Sequence, residues 1–314
     1  MTMDTPTLPA GVMVLERGWL SANNVLMLDP EGATLVDSGY SSHANQTLAL
    51  VAAALGQTPL RQLLNTHLHS DHCGGNAALQ TRHPGLQTWI PPGEAAAVER
   101  WDEDALSYRA TGQSCPRFRF SGVLEPGRTL TLAGLPWQVL AAPGHDPHAV
   151  LLFQPEYRVL ISGDALWENG FGVVFPELDG EQAFHEVEAT LDLIEALRPL
   201  TVIPGHGPVF GGTEAAVAQA LARARSRLAQ FRAQPMQHAR YAAKVLLKFK
   251  LMECQDIAMG DFLVWARQTP CLQGLHAAMA VPGSVTLERW LRSRLADLQN
   301  AGAAVLDGER LRDG

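Results

Sequence analysis

One stretch limits this chain more than any other. Thr66-His67-Leu68-His69-Ser70-Asp71-His72-Cys73-Gly74-Gly75-Asn76 sets three imidazoles and a carboxylate within six residues. If a strand delivers His67, the alternating direction of side chains sends His67 and His69 to one side. Asp71 and His72 then fall where the chain turns towards a helix, and Gly74-Gly75 keeps the backbone tight against whatever the side chains hold. A metal is the economical explanation. Neutral imidazole and carboxylate suit zinc, with iron and manganese as alternatives. The competing reading is a polar loop with surface histidines, and the rest of the chain argues against it.

At 314 residues the chain exceeds the usual single domain. Hydrophobic residues make up 46% and charged residues 18%, a globular rather than a disordered balance. The N-terminus shows no basic segment followed by an apolar run, and no stretch approaches a membrane span, so a cytoplasmic protein with no membrane partner is expected. Cys73, Cys115, Cys254 and Cys271 form no CxxC pair and read as reduced thiols. Charge is uneven. Residues 1–234 carry 14 Arg and no Lys against 24 Asp plus Glu, while residues 235–314 carry 10 basic and 8 acidic side chains. An acidic body does not draw in polyanions over long range, which disfavours nucleic acid as substrate.

Along the chain, 11–15, 24–28 and 33–37 read as short strands, His43 to Leu55 as a helix, and Arg61 to Thr66 as a buried strand leading into the histidines. Thr88 to Ile90 follows as a strand and Glu94 to Trp101 as a short helix; residues 102–128 show no period and read as a loosely packed connection. Trp137 to Ala142, His148 to Phe153 and Tyr157 to Ile161 are three strands in meander-like succession. Glu181 to Leu197 is an amphipathic helix, and Thr201 to Ile203 a strand. Three of these strands end in Pro143-Gly144-His145, Ser162-Gly163-Asp164 and Pro204-Gly205-His206-Gly207. His145, Asp164 and His206 thus sit at strand ends, where α/β sheets usually place their sites. Periodicity by itself supports a fold mixing α and β elements.

The motifs HxHxDH at 67–72, Gly-His at 144–145, Gly-Asp at 163–164 and Gly-His-Gly at 205–207 keep one order over about residues 12–215 and resemble the metallo-β-lactamase superfamily. The resemblance implies an αββα sandwich of two mixed sheets with helices outside. It implies one metal held by His67, His69 and His145, a second held by Asp71, His72 and His206, and Asp164 bridging two divalent ions, zinc foremost. Seven ligands exceed what one tetrahedral zinc needs. The implied chemistry is hydrolysis by a metal-bridged hydroxide, with Asp71 as the catalytic residue that orients it and shuttles its proton. No ligand position is left for His148, which reads as a supporting or packing residue, and Cys73 reads as packed. Trp167, Glu168, Phe171 and Phe175 are candidate pocket residues.

True β-lactamases of this superfamily are exported and lack an Asp like Asp164, which argues against antibiotic hydrolysis. The ligand set is glyoxalase II-like, yet glyoxalase II grips glutathione with basic side chains that a lysine-free domain does not display. The expected substrate is therefore a small molecule, an ester, thioester or lactone. A phosphodiesterase or ribonuclease is the runner-up; a binding or regulatory protein with a vestigial metal site is weakened because no ligand is missing.

Thr213 to Phe231 reads as a long helix, and Ala233-Gln234-Pro235 as a boundary between a catalytic domain, 1–233, and a small mainly helical domain, 234–314. Helices are expected at His238 to Met252, Asp256 to Arg267 and Leu287 to Gln299, then a hairpin turning at Asp307-Gly308, together like a winged helix. Residues 284–314 hold five arginines and five acidic side chains, which cancel, and although Lys244, Lys248 and Lys250 offer a small basic face, packing against the catalytic domain is the expected role of this segment rather than binding to phosphates. A structural cap shaping substrate entry, or a homodimer contact, is the expectation.

Overall fold

The computed structural model describes residues 6–279 and 285–314. Its strands run β1 (Val12–Leu15), β2 (Asn24–Asp29), β3 (Gly32–Val36), β4 (Leu60–Leu64), β5 (Gln87–Ile90) and β6 (Gly122–Val123) in a first sheet, neighbours in chain order. Pairing is antiparallel from β1 to β3 and parallel from β3 to β6. The second sheet holds β7 (Thr129–Leu132), β8 (Leu135–Ala141), β9 (Val150–Gln154), β10 (Val159–Gly163), β11 (Thr201–Pro204) and β12 (Phe210–Gly211). There only β10 and β11 are parallel, joined through the helix Ala183–Leu197.

The two-residue period of the strands builds the layers. Val25 and Met27 of β2, Val36 of β3 and Leu64 of β4 join Trp137, Val139, Leu152, Val159, Ile161 and Ile203 in one buried cluster shared by both sheets. Leu26, Leu35 and Leu63, one residue along, instead pack with Val51, Leu55 and Leu79 from the helices Ala44–Leu55 and Asn76–Arg82. Sheet faces sheet on one side and helices on the other, the sandwich that the resemblance implied. β7 is absent from the sequence reading although Thr129–Leu132 alternates polar and apolar residues, with Leu132 in the shared core and Leu130 packed against it.

The chain forms two compact units, Met1–Leu106 with Cys115–Ala229, and Ser107–Ser114 with Gln230–Gly314. The connection expected to be loose is anchored: Tyr108 and Phe118 are buried, and Trp265 Nε1 donates to Gly112 O at 3.0 Å within the second unit. That unit has helices Pro235–Cys254, Met259–Gln268, Pro270–Met279 and Leu287–Asn300, and a sheet of β13 (Asp256–Ala258), β14 (Ala304–Asp307) and β15 (Arg310–Asp313) in the order β13-β15-β14. Two expectations need correction. Asp256–Ala258, expected to be helical, is a strand on β15, where Asp256 pairs with Arg310 and Arg312; Gln255, with φ of 61°, ends the helix before it. Pro270–Met279 is a helix the reading missed, opened by a proline and burying Leu272 and Leu275. Among the described residues no helix is long and apolar enough to cross a membrane.

Candidate metal centre

β3 and β4 lie side by side and parallel, so their carboxyl ends bring Asp37 and Thr66 together. Asp37 turns the chain in a left-handed conformation, φ 58°, and is buried. Its carboxylate accepts from Thr66 N at 2.9 Å and Thr66 Oγ1 at 2.8 Å, and pairs with His72 Nδ1 at 2.8 Å. Held at Nδ1, the ring of His72 presents Nε2 to the cluster, the usual way a carboxylate fixes a ligating histidine. Ser38 Oγ donates to Asn76 Oδ1 at 2.7 Å, Asn76 Nδ2 to Asn65 Oδ1 at 2.7 Å, and Asn65 Nδ2 to His72 O at 3.2 Å, which ties down the turn between the motif and its helix.

Gly74 and Gly75 are required by proximity rather than by φ. A Cβ on Gly75 would run into the Ser38 carbonyl, and one on Gly74 into the backbone of Ser41 and Ser70. Gly75→Ala should therefore lower stability by about 1–3 kcal/mol, as overpacking against rigid backbone does. Chemical denaturation would check it; an unchanged midpoint would show that the turn can move aside.

The structure brings all seven expected side chains together. Ligand-type atoms of His67, His69 and His145 lie within 4.8 Å of one another, as do those of His67, His72 and Asp164, and those of Asp71, His72 and His206. His69 Nδ1 is 2.9 Å from His145 Nε2, and His206 Nε2 is 3.1 Å from Asp71 Oδ2. Asp164 reaches both ends: Oδ1 is 3.3 Å from His72 Nε2, while Oδ2 is 3.5 Å from His145 Nε2 and 3.8 Å from His206 Nε2. His145 is oriented by Nδ1, which donates to Val173 O at 2.6 Å.

Burial and mutual proximity shift the titration of several groups in the cluster. Burial, then neighbouring histidines, holds His67 well below the ordinary histidine range, and burial with His69 beside it pushes His145 down to about 4. Burial opposes a charge on His72 too, but Asp164 and Asp37 outweigh it and raise its pKa well above normal. Burial would raise Asp164, yet His206 and His72 bring it well below the usual carboxylate range. His67 Nε2 is buried with no hydrogen-bond partner among the described residues. Imidazoles of His67, His69 and His145 that resist protonation, an Asp164 that stays ionised and an orphaned buried nitrogen on His67 fit a divalent cation.

His148 falls outside the ligand groups; it is exposed, with its ring against Gly93. Cys73 is packed, its Sγ 3.7 Å from that of Cys115. Phe175 meets His69 edge-on at 6.0 Å. Sequence reasoning missed three neighbours of the cluster, Asp37, Asp146 and Trp19, and gave Trp167 a different role. Asp37 reads from the sequence only as turn chemistry. Asp146 adjoins His145, with Oδ2 3.9 Å from His69 Nε2; burial raises its pKa, and also that of Glu94, which faces it. Trp19 stacks on His206 at 5.5 Å with rings 5° from parallel, and a tryptophan between two short strands gave no cue to that. Trp167, suspected as pocket lining, instead donates from Nε1 to Asp164 Oδ1 at 3.1 Å.

A two-sheet sandwich gathering histidines and aspartates at strand ends defines a metal-site fold. Residues 17–206 match the Metallo-beta-lactamase superfamily, and the chain belongs to that superfamily. It is 32% identical over 188 residues to a hydroxyacylglutathione hydrolase of Synechococcus sp. (strain JA-3-3Ab), covering 59% of this chain and 65% of that protein. It is 27% identical over 267 residues to a hydroxyacylglutathione hydrolase of Xanthomonas campestris pv. campestris (strain B100), covering 82% and 89%. Among solved structures, a metallo-beta-lactamase family protein from Thermus thermophilus superposes with a TM-score of 0.57 at 20% identity, over 98% of this chain and 100% of that one, a likeness of fold alone.

Proposed function

We propose that this protein is a hydrolase that holds two divalent ions, zinc foremost with iron or manganese as alternatives, and cleaves a small thioester, ester or lactone. One observation carries the reading: three ligand trios overlap through His67 and His72, and Asp164 spans from one to the other. A single tetrahedral ion would leave several of these seven groups unused. Two ions held there would supply an acidified water as nucleophile and polarise the substrate oxygen. Asp71 has a carboxylate oxygen on His206 and a side chain 14% exposed, so it can take a proton at the cluster and pass it outward. Asp37 and Val173 hold the rings of His72 and His145 in place.

The hydroxyacylglutathione hydrolases named above support a thioester in particular. Arrangement in the second unit supports an acyl over a phosphodiester substrate, since Arg292, Arg294, Arg310 and Arg312 each face a carboxylate and Lys248 binds Asp313 at 2.6 Å. We read that unit, helices backed by a small sheet with a hairpin, as winged-helix-like in form, with both hairpin arginines and two of the last helix paired to carboxylates. The test is metal analysis of protein purified without chelator, in the wild type and in Asp164→Asn, followed by a panel of thioesters, lactones, esters, phosphodiesters and single-stranded RNA. Two equivalents of metal, fewer in the variant, and turnover of an acyl substrate are expected. Cleavage confined to RNA or phosphodiesters would reverse the substrate assignment, and a fully active wild type with one equivalent would end the two-ion reading.

A further inference from the structure

The turn after Asp164 is built more firmly than a pocket loop needs to be. Ser162 Oγ donates to Leu166 O at 2.7 Å, Gly172 N to Asp164 O at 2.9 Å, and Trp167 N to Gly170 O at 2.7 Å. From outside, Arg223 Nε donates to Glu168 O at 2.8 Å. Gly170, with φ of 126°, lies so close to the Arg227 guanidinium that a side chain there would strike it. The turn is thus held within itself and against the helix Glu214–Ala233. What it delivers is one group: the indole of Trp167, packed edge-on against His206 at 5.5 Å and Trp19 at 5.3 Å, with Nε1 on Asp164 Oδ1.

We propose that Trp167 is the positioning residue of Asp164. A carboxylate can rotate and exchange its oxygens; an indole N–H is a donor with no acceptor role, so it marks one oxygen and leaves the other. Here Oδ1 takes the indole and lies on the His72 side, and Oδ2 is left towards His145 and His206. The inference rests on the reading of Asp164 as a ligand shared by two ions. Trp167 touches no reacting atom by this account; it acts through Asp164, and its N–H rather than its bulk is the working part.

The experiment separates those two. In the full-length protein, stripped and then titrated with zinc against a chelator of known affinity, the wild type is compared with Trp167→Phe. A third protein carries benzothienylalanine at 167, which keeps the indole shape and puts sulfur in place of N–H. Loss of a partner that orients a ligand costs about 10- to 100-fold in metal affinity, and the isostere should lose as much as Trp167→Phe does. An isostere that binds zinc like the wild type would overturn the proposal, whatever Trp167→Phe does, because shape would then suffice. A wild type with a single tight equivalent would overturn the two-ion reading, while the same comparison on that remaining site would still decide the role of the N–H.

Discussion

Asp71→Ala is expected to lower turnover on an acyl substrate by about a thousandfold, within the range for removing a group that moves a proton in the transition state. The expectation comes from its position. Asp71 stands at the first turn of the short helix Ser70–Cys73, with one oxygen on His206, and is more exposed than His72, His206 or Asp164. Stability should change little by comparison, because the side chain supports no backbone hydrogen bond among those described. Affinity for metal should also fall, since Asp71 belongs to the trio with His72 and His206. Turnover, thermal unfolding and metal content measured on one preparation would check this. Retention of more than about a tenth of wild-type turnover at full metal loading would remove Asp71 from the proton-transfer role that calls for a loss of roughly 100-fold or more.

The second large effect is expected at Asp37, which sequence reading passed over. Asp37→Ala would strip the partner from His72 Nδ1 and from both donors of Thr66, all of them buried. Breaking a buried charged pair on one side costs about 3–5 kcal/mol, and alanine is also ill suited to the left-handed backbone at this position. Asp37→Asn separates the two causes, because asparagine tolerates that conformation and keeps one carbonyl acceptor. It should lose less stability than alanine but still weaken metal binding, about 10- to 100-fold, since a neutral amide no longer draws the His72 ring into one orientation. Denaturant unfolding of metal-stripped protein gives the first quantity and chelator competition the second. Wild-type metal affinity in Asp37→Asn would show that His72 needs no carboxylate behind it.

What was legible in the sequence follows from how close the signals lie. Four of the seven ligand-type residues fall within six positions, and His145, Asp164 and His206 each follow a glycine at the end of an apolar run. Local chemistry sufficed for these, because strand ends and tight turns are properties of a few consecutive residues. The apolar run Val25-Leu26-Met27 likewise reads as a strand, and the structure buries its two faces in different clusters. Where pairing is distant, local signals mislead. The sequence predicts helix at β13, because Asp256–Ala258 becomes a strand only on meeting β15, more than fifty residues later. Ser107–Ser114 carries no period and yet belongs with the C-terminal unit.

Residue types in order, and so the donor set and the class of chemistry it can do, were determined by the sequence alone. Which oxygen of Asp164 faces which histidine, that Asp37 stands behind His72 from 35 residues away, and that an indole N–H reaches Asp164 were decided only by tertiary structure. The reason is physical: a residue's capacity to bind is carried by its own side chain, whereas its orientation depends on neighbours that only the packed sheets bring within hydrogen-bond reach.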